Sequence, residues 1–105
     1  MSTVNITRVL LDSLKSRELS IVELSRVLGS VNGVNEVDIV VVEVDSNTET
    51  IKVTLVGPQI DYNEVKKVME KYGVSIKGID EIKVVTFLNL LSKDSFFQIF
   101  QKRFL

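Results

Sequence analysis

Residues 37–57 contain two runs rich in β-branched residues, separated by a short polar stretch. The polar stretch, residues 45–48, consists of residue types that hydrogen-bond their own backbone in turns. This arrangement predicts a β-hairpin whose strands cover residues 34–44 and 49–57. Apolar residues run without a break over residues 39–42, so we expect both faces of the first hairpin strand to be covered.

A helix with a recognisable start is predicted on each side of the hairpin. In the first, Ser20 stands at the cap position and Glu23 follows three residues later, which is the pattern of a capping box. In the second, Asp61 and Glu64 have the same spacing. Apolar residues at helical spacing follow both caps and would face a sheet. Asp61 is therefore interpreted as a helix cap rather than as a metal ligand.

Two further strands, over residues 4–14 and 74–85, flank the helices and complete the order βαββαβ. This order predicts a ferredoxin-like α+β sandwich, with an antiparallel four-stranded sheet and both helices on one face. The first and third strands would form the centre, and the other face of the sheet would stay open. Residues 1–85 would make up this domain, and residues 86–105 a Phe-rich C-terminal extension that we expect to be helical.

The isoleucines of the fourth predicted strand recur every third residue from Ile76 to Ile82, which does not fit the period of two of a regular strand. A β-bulge near Gly78 would reconcile the spacing with a single buried face. Such a bulge would also re-aim the side chains of Asp80 and Glu81.

The C-terminal extension contains all five phenylalanines of the chain, starting at Phe87. A helix beginning at Asp94 would be too short to be stable alone in water, so it should dock on its own sheet, on a neighbouring subunit or on another protein. Its cationic residues Lys102 and Arg103 are too few to favour a membrane surface. The helix would gather four aromatic side chains on one side: Phe96, Phe97, Phe100 and Phe104.

The composition excludes several function classes. The 105-residue chain has 13 basic and 14 acidic residues, so no general attraction to nucleic acid is expected. It has no cysteine and no histidine, which removes a thiolate nucleophile, the commonest general base and the commonest transition-metal ligand. No apolar run is long enough to span a membrane. We therefore expect a cytoplasmic protein that is not an enzyme.

The sharpest candidate site is a charged group on the two central strands. Arg8 and Asp12 would lie on the open side of the first strand, and Lys52 and Thr54 on the open side of the third. Mixed charges of this kind can bind a small zwitterion such as an amino acid. They can equally pair with one another across the strands or at a subunit interface, which is the usual role of opposed charges on a sheet.

Carboxylates are the strong metal ligands that this composition leaves, so any metal site would be rich in oxygen and suited to Ca²⁺ or Mg²⁺. The candidate ligands are Glu43 and Asp45 near the hairpin turn, and Asp80 and Glu81 in the fourth strand. Neither pair has the spacing of an EF-hand loop. Asp45 is also a typical turn residue that bonds its own backbone.

Short segments spread over residues 6–84 resemble a small, mainly archaeal family that is classified as domain of unknown function two-one-one. The resemblance implies a ferredoxin-like fold, no assigned activity, a homo-oligomer, and capture of calcium or of a ligand in a ring-like assembly. The aromatic extension departs from the family pattern. The segments that carry the resemblance are residues 8–12, 33–34, 37, 43–45, 48–49, 51–54, 60–62 and 79–81.

Three functions remain open from the sequence. The first is a non-enzymatic oligomeric module that binds a divalent cation or small ligand at subunit interfaces, in the manner of amino-acid-sensing regulatory domains of the same topology. The second is a protein–protein interaction module that uses the open sheet face and the C-terminal extension. The third is an enzyme that uses carboxylates and Lys52, which the missing histidine and cysteine disfavour.

Overall fold

A computed structural model describes residues 3–87 and shows one four-stranded sheet with two helices. The strand order is β2-β3-β1-β4, and every neighbouring pair is antiparallel. This confirms the ferredoxin-like α+β fold, whereas the helix expected after Asp94 lies outside the described residues. The elements are β1 (Thr3–Ser16), α1 (Ile21–Gly29), β2 (Glu36–Val44), β3 (Thr48–Val56), α2 (Tyr62–Lys71) and β4 (Ser75–Phe87).

The core lies between the two central strands and both helices. Alternate residues of β1 and β3 point to this side, because side chains on a strand alternate between the two faces. They meet apolar side chains of α1 and α2 in a single buried cluster, so both helices cover the same face of the sheet. The fully buried members include Val9, Leu11, Leu24, Leu28, Ile51, Val53, Leu55 and Val65.

Each helix begins at the predicted cap. The hydroxyl of Ser20 accepts a hydrogen bond from the backbone N–H of Val22 at 3.0 Å, and the carboxylate of Asp61 accepts one from Glu64 at 3.1 Å. The Glu64 carboxylate accepts from the backbone N–H of Asn32, in the loop after α1, at 3.3 Å. This side chain therefore links the two helical segments in addition to its place in the first turn of α2.

β4 contains two bulges rather than the single one predicted near Gly78. Leu10 of β1 pairs with Glu81 and the next residue, Leu11, pairs with Ile79, so Asp80 is an extra residue. A second shift leaves Lys77 extra. Two added residues explain the spacing of three, because Ile76, Ile79 and Ile82 now pair with consecutive core-side residues of β1: Ser13, Leu11 and Val9.

The expectation that both faces of β2 are covered is wrong. Val40 and Val42 are about half exposed, at 50% and 52%. Val40 pairs with Lys52 and so faces away from the helices, and Val42 is an extra residue at a bulge, whereas Val37, Ile39 and Val41 pack against the core. β2 is an edge strand. Within the described part of the chain, its apolar run is covered on the helix side only.

Gly33 provides a direct test of how the α1–β2 connection is built. Its φ is +86°, and a Cβ at this position would overlap the backbone carbonyl oxygen of Gln59. Gly73 has a similar φ of +73° but open space around it. We expect Gly33→Ala to lower the free energy of unfolding by about 3 kcal/mol or more, and Gly73→Ala by about 1–2 kcal/mol, because the second carries backbone strain without a clash. Urea denaturation measures both.

Gly78→Ala is the matched control, since nothing lies within 4 Å of the added Cβ and its φ is not positive. It should change the free energy of unfolding by less than about 1 kcal/mol. Equal losses for Gly33→Ala and Gly73→Ala would contradict the close approach of the two backbone segments.

Candidate functional site

The face of the sheet away from the helices carries two ion pairs that bridge different strands. Arg8 Nε of β1 lies 2.5 Å from Glu81 Oε1 of β4. Lys52 Nζ of β3 lies 2.6 Å from Asp80 Oδ2 of β4, so it reaches across β1 to the edge strand. The structure therefore brings Arg8 and Lys52, two of the three charged side chains predicted to lie here, into contact with carboxylates of β4.

Asp12 completes this group. Its Oδ1 lies 3.4 Å from Lys52 Nζ, is shielded from solvent and finds no hydrogen-bond donor among residues 3–87. The Lys52 ammonium thus stands between two carboxylates. Its hydrogen bond to Asp80 is the largest effect and raises the pKa of Lys52 above its ordinary value, with a further contribution from the charge of Asp12.

The β4 bulge at Asp80 is what places two adjacent acidic side chains on this face. In a regular strand, Asp80 and Glu81 would point to opposite faces. Here Glu81 pairs with Leu10 and reaches Arg8, and Asp80 reaches Lys52. The predicted re-aiming of these carboxylates is confirmed, and both are used in ion pairs.

A depression of about 490 Å³ lies beside the ion pairs, at the end of the sheet where β3 finishes. The guanidinium of Arg8 and the hydroxyl of Thr54 line it together with two carboxylates of β2, Glu36 and Asp38. Asp38 is the direct cross-strand partner of Thr54. Two predicted ligand-binding residues, Arg8 and Thr54, therefore contribute to one concave surface, whereas Asp12 and Lys52 do not line it.

The sequence reasoning missed Glu36 and Asp38. A signal was present, because both alternate with Val37 and Ile39, which pack against the core, and so had to face the opposite side. The apolar run that follows predicted a strand with both faces covered, and that prediction left no open face for the two acidic residues.

The four predicted metal ligands fall into two separate pairs. Glu43 and Asp45 lie at the end of β2, one edge of the sheet, whereas Asp80 and Glu81 lie on β4, the opposite edge. Over residues 3–87 no three acidic side chains are grouped closely enough to hold a metal ion. Asp45 also bonds the backbone of the hairpin turn, as its residue type predicted, because its Oδ1 accepts a hydrogen bond from the backbone N–H of Ser46 at 2.8 Å.

A further ion pair, which the sequence reasoning also missed, lies on the helix side of the sheet. Lys15 is almost fully buried and pairs with Glu49 of β3. Its ammonium also donates to the backbone carbonyls of Leu19 at 2.6 Å and Ser16 at 3.1 Å. These bonds hold the β1–α1 connection against the sheet, so Lys15 has a structural role.

Comparison with known proteins now identifies the family. The model of the DUF211 family, described as an uncharacterized ArCR, matches residues 7–91. The chain belongs to the DUF211 family. A protein of Methanocaldococcus jannaschii, itself named as uncharacterized, is 38% identical over 77 residues, which is 73% of this chain and 79% of the relative. In this DUF211 chain the candidate site lies inside the family match, whereas residues 92–105 lie beyond it.

No helix within residues 3–87 is long and apolar enough to cross a membrane.

The role of Asp80 can be tested through the titration of Lys52. We expect Asp80→Asn to lower the pKa of Lys52, because it removes the carboxylate that most stabilises the charged ammonium. The stabilisation of the fold by this pair is fully present at neutral pH and is lost as the pH rises through the raised pKa of Lys52. An NMR titration of the Lys52 side chain between pH 8 and 12 measures the shift (a range of roughly two units around the ordinary value).

Glu81→Gln is the matched control, since Glu81 pairs with Arg8 rather than with Lys52. The pKa of Lys52 should change little in this variant. An unchanged pKa of Lys52 in Asp80→Asn would show that the two groups are not paired in solution.

Proposed function

We propose that the protein is a non-enzymatic, cytoplasmic oligomeric module that binds a small charged ligand or a divalent cation on its open sheet face, where subunits meet. The observation that carries this proposal is the depression beside the ion pairs. It combines a guanidinium, a hydroxyl and two carboxylates on a surface that nothing in residues 3–87 covers.

The chemistry of the depression fits a zwitterion. A ligand ammonium can donate hydrogen bonds to the carboxylates of Glu36 and Asp38, and a ligand carboxylate can accept hydrogen bonds from Arg8. Arg8 uses its Nε in the pair with Glu81, and the fork of a guanidinium provides further donors. An amino acid carries both charges, which makes regulatory sensing of amino acids the specific form of this proposal.

The openness of the depression favours a site that is completed by a second subunit. Small-molecule sites usually enclose roughly 70–90% of the ligand surface. A shallow surface on an exposed sheet face does not enclose a ligand to that degree. A second copy laid over this face would close the site and would also cover Val40, which is half exposed there.

A divalent cation would require the same contribution from a neighbour. Calcium takes about six to eight oxygen ligands, and the described residues group fewer than three acidic side chains at any one place. The acidic pair of one edge strand, Glu43 and Asp45, and the pair of the other, Asp80 and Glu81, meet if edges of two copies approach each other. A cation at such a contact would compete with Lys52 and Arg8 for the second pair.

A protein–protein interaction module is the second candidate function. It is favoured by the exposed valines of β2, because an edge strand with apolar side chains is a typical place for another chain to add a strand. This function needs no small ligand, so the binding experiment below separates it from the first.

We expect Ca²⁺, Mg²⁺ or a member of an amino-acid panel to give a binding signal in isothermal titration calorimetry, and native mass spectrometry to show more than one subunit. The double variant Glu36→Gln/Asp38→Asn should weaken that binding by roughly tenfold or more, because it removes charge-assisted contacts.

Glu70→Gln, on the exposed surface of α2, is the control that removes a carboxylate elsewhere and should leave the affinity unchanged. An assembled protein with no binding signal would favour the interaction module. A monomer without a binding signal would contradict the first function.

A further inference from the structure

Four branched apolar side chains are exposed along the β1–β4 edge of the sheet, and we call them the β4 apolar strip. They are Val4, Ile79, Ile82 and Val84, with exposed fractions of 64%, 48%, 51% and 45%. Single exposed apolar residues are ordinary on a protein surface, but a row of four on one edge calls for a covering partner.

The β4 apolar strip faces the same side as the helices. Ile79 pairs with Leu11 and Ile82 with Val9, and both partners are core residues beneath the helices. Ile76, nearer the start of β4, packs against the core, whereas the residues that follow on this face are exposed. The strip is therefore a continuation of the core face past the area that α1 and α2 cover.

We propose that residues 88–105 of the same chain dock on the β4 apolar strip. This segment begins directly where β4 ends, at Phe87. It carries four further phenylalanines, together with leucines and an isoleucine, which is the composition that an exposed aliphatic surface requires as a cover. Its polar residues Gln101, Lys102 and Arg103 would remain in water on the other side of the predicted helix.

The lengths of the two partners agree. A helix from Asp94 to Leu105 has twelve residues and is about 18 Å long. The five residue steps of β4 from Ile82 to Phe87 span about 17 Å. Residues 88–93 are available to reverse the chain direction, so the helix would run back along β4 over Val84 and Ile82.

The other exposed apolar residues of the sheet are a poorer match for this segment. Val40, Val42 and Val44 lie on β2, the opposite edge, with β3 and β1 in between. Docking on the β4 apolar strip also removes the difficulty that a helix of this length is unstable alone in water, because the strip provides its apolar face with a partner.

Cysteine trapping in the full chain tests the proposal, since the natural sequence has no cysteine. Ile82→Cys is combined in turn with Phe96→Cys, Phe97→Cys, Phe100→Cys or Phe104→Cys, so that each double variant keeps three of the aromatic anchors. After oxidation with oxidised glutathione, we expect at least one pair to form a disulfide within a single chain, seen as a monomer of higher mobility on a non-reducing gel. Circular dichroism confirms that each variant is folded.

Lys83→Cys is the matched control, because it neighbours Ile82 but pairs with Arg8 and so faces the opposite side of the sheet. With the same tail positions it should cross-link at least about tenfold more slowly, as it lacks the high effective concentration of a docked partner. Equal rates at the two positions, or no disulfide with Ile82→Cys, would overturn the proposal. Covalent dimers with Ile82→Cys would overturn it as well and assign the strip to a neighbouring copy.

Discussion

The alternation of side chains along β1 determines both faces of this protein. β1 is the strand that pairs with β3 on one side and β4 on the other, and its odd-numbered residues from Val9 to Lys15 lie under the helices. Because a strand has a period of two, the residues between them must point to the open face. Burial of Val9 and Leu11 in the core thus presents Arg8 and Asp12 on the other side, where they meet charges of β3 and β4.

The bulges of β4 show how a local irregularity serves both faces at once. They keep the isoleucines on the core side despite a spacing of three, and they place two consecutive carboxylates on the open side. The isoleucine spacing predicted one bulge because one extra residue is the smallest correction to a period of two. The pairing with β1 shows that there are two bulges. The neighbours Leu10 and Leu11 pair with residues that are two apart in β4, and so do the neighbours Asp12 and Ser13.

Element order, caps and the core were readable from the sequence, because each depends on local periodicity and on residues close in the chain. The grouping of charges was readable in part. Face assignments brought Arg8, Asp12 and Lys52 together, but register decides which carboxylates they meet. What could not be read is how far the helices extend over the sheet. Ile79 and Ile82 have the residue type and face of buried positions, and both are half exposed because they lie past the covered area.

The ion pairs of the open face also limit what that face can bind. A ligand carboxylate that approaches Arg8 finds a guanidinium already bonded to Glu81, and a cation that approaches Asp80 finds the Lys52 ammonium in place. The cation must replace Lys52, and the ligand carboxylate must share the Arg8 guanidinium with Glu81, so the net gain is small on an exposed surface. Glu36 and Asp38 differ, because they line the depression without an ion-pair partner within residues 3–87. Selectivity on this face should therefore depend on these two carboxylates of the edge strand, with the central ion pairs holding the sheet in register beneath them.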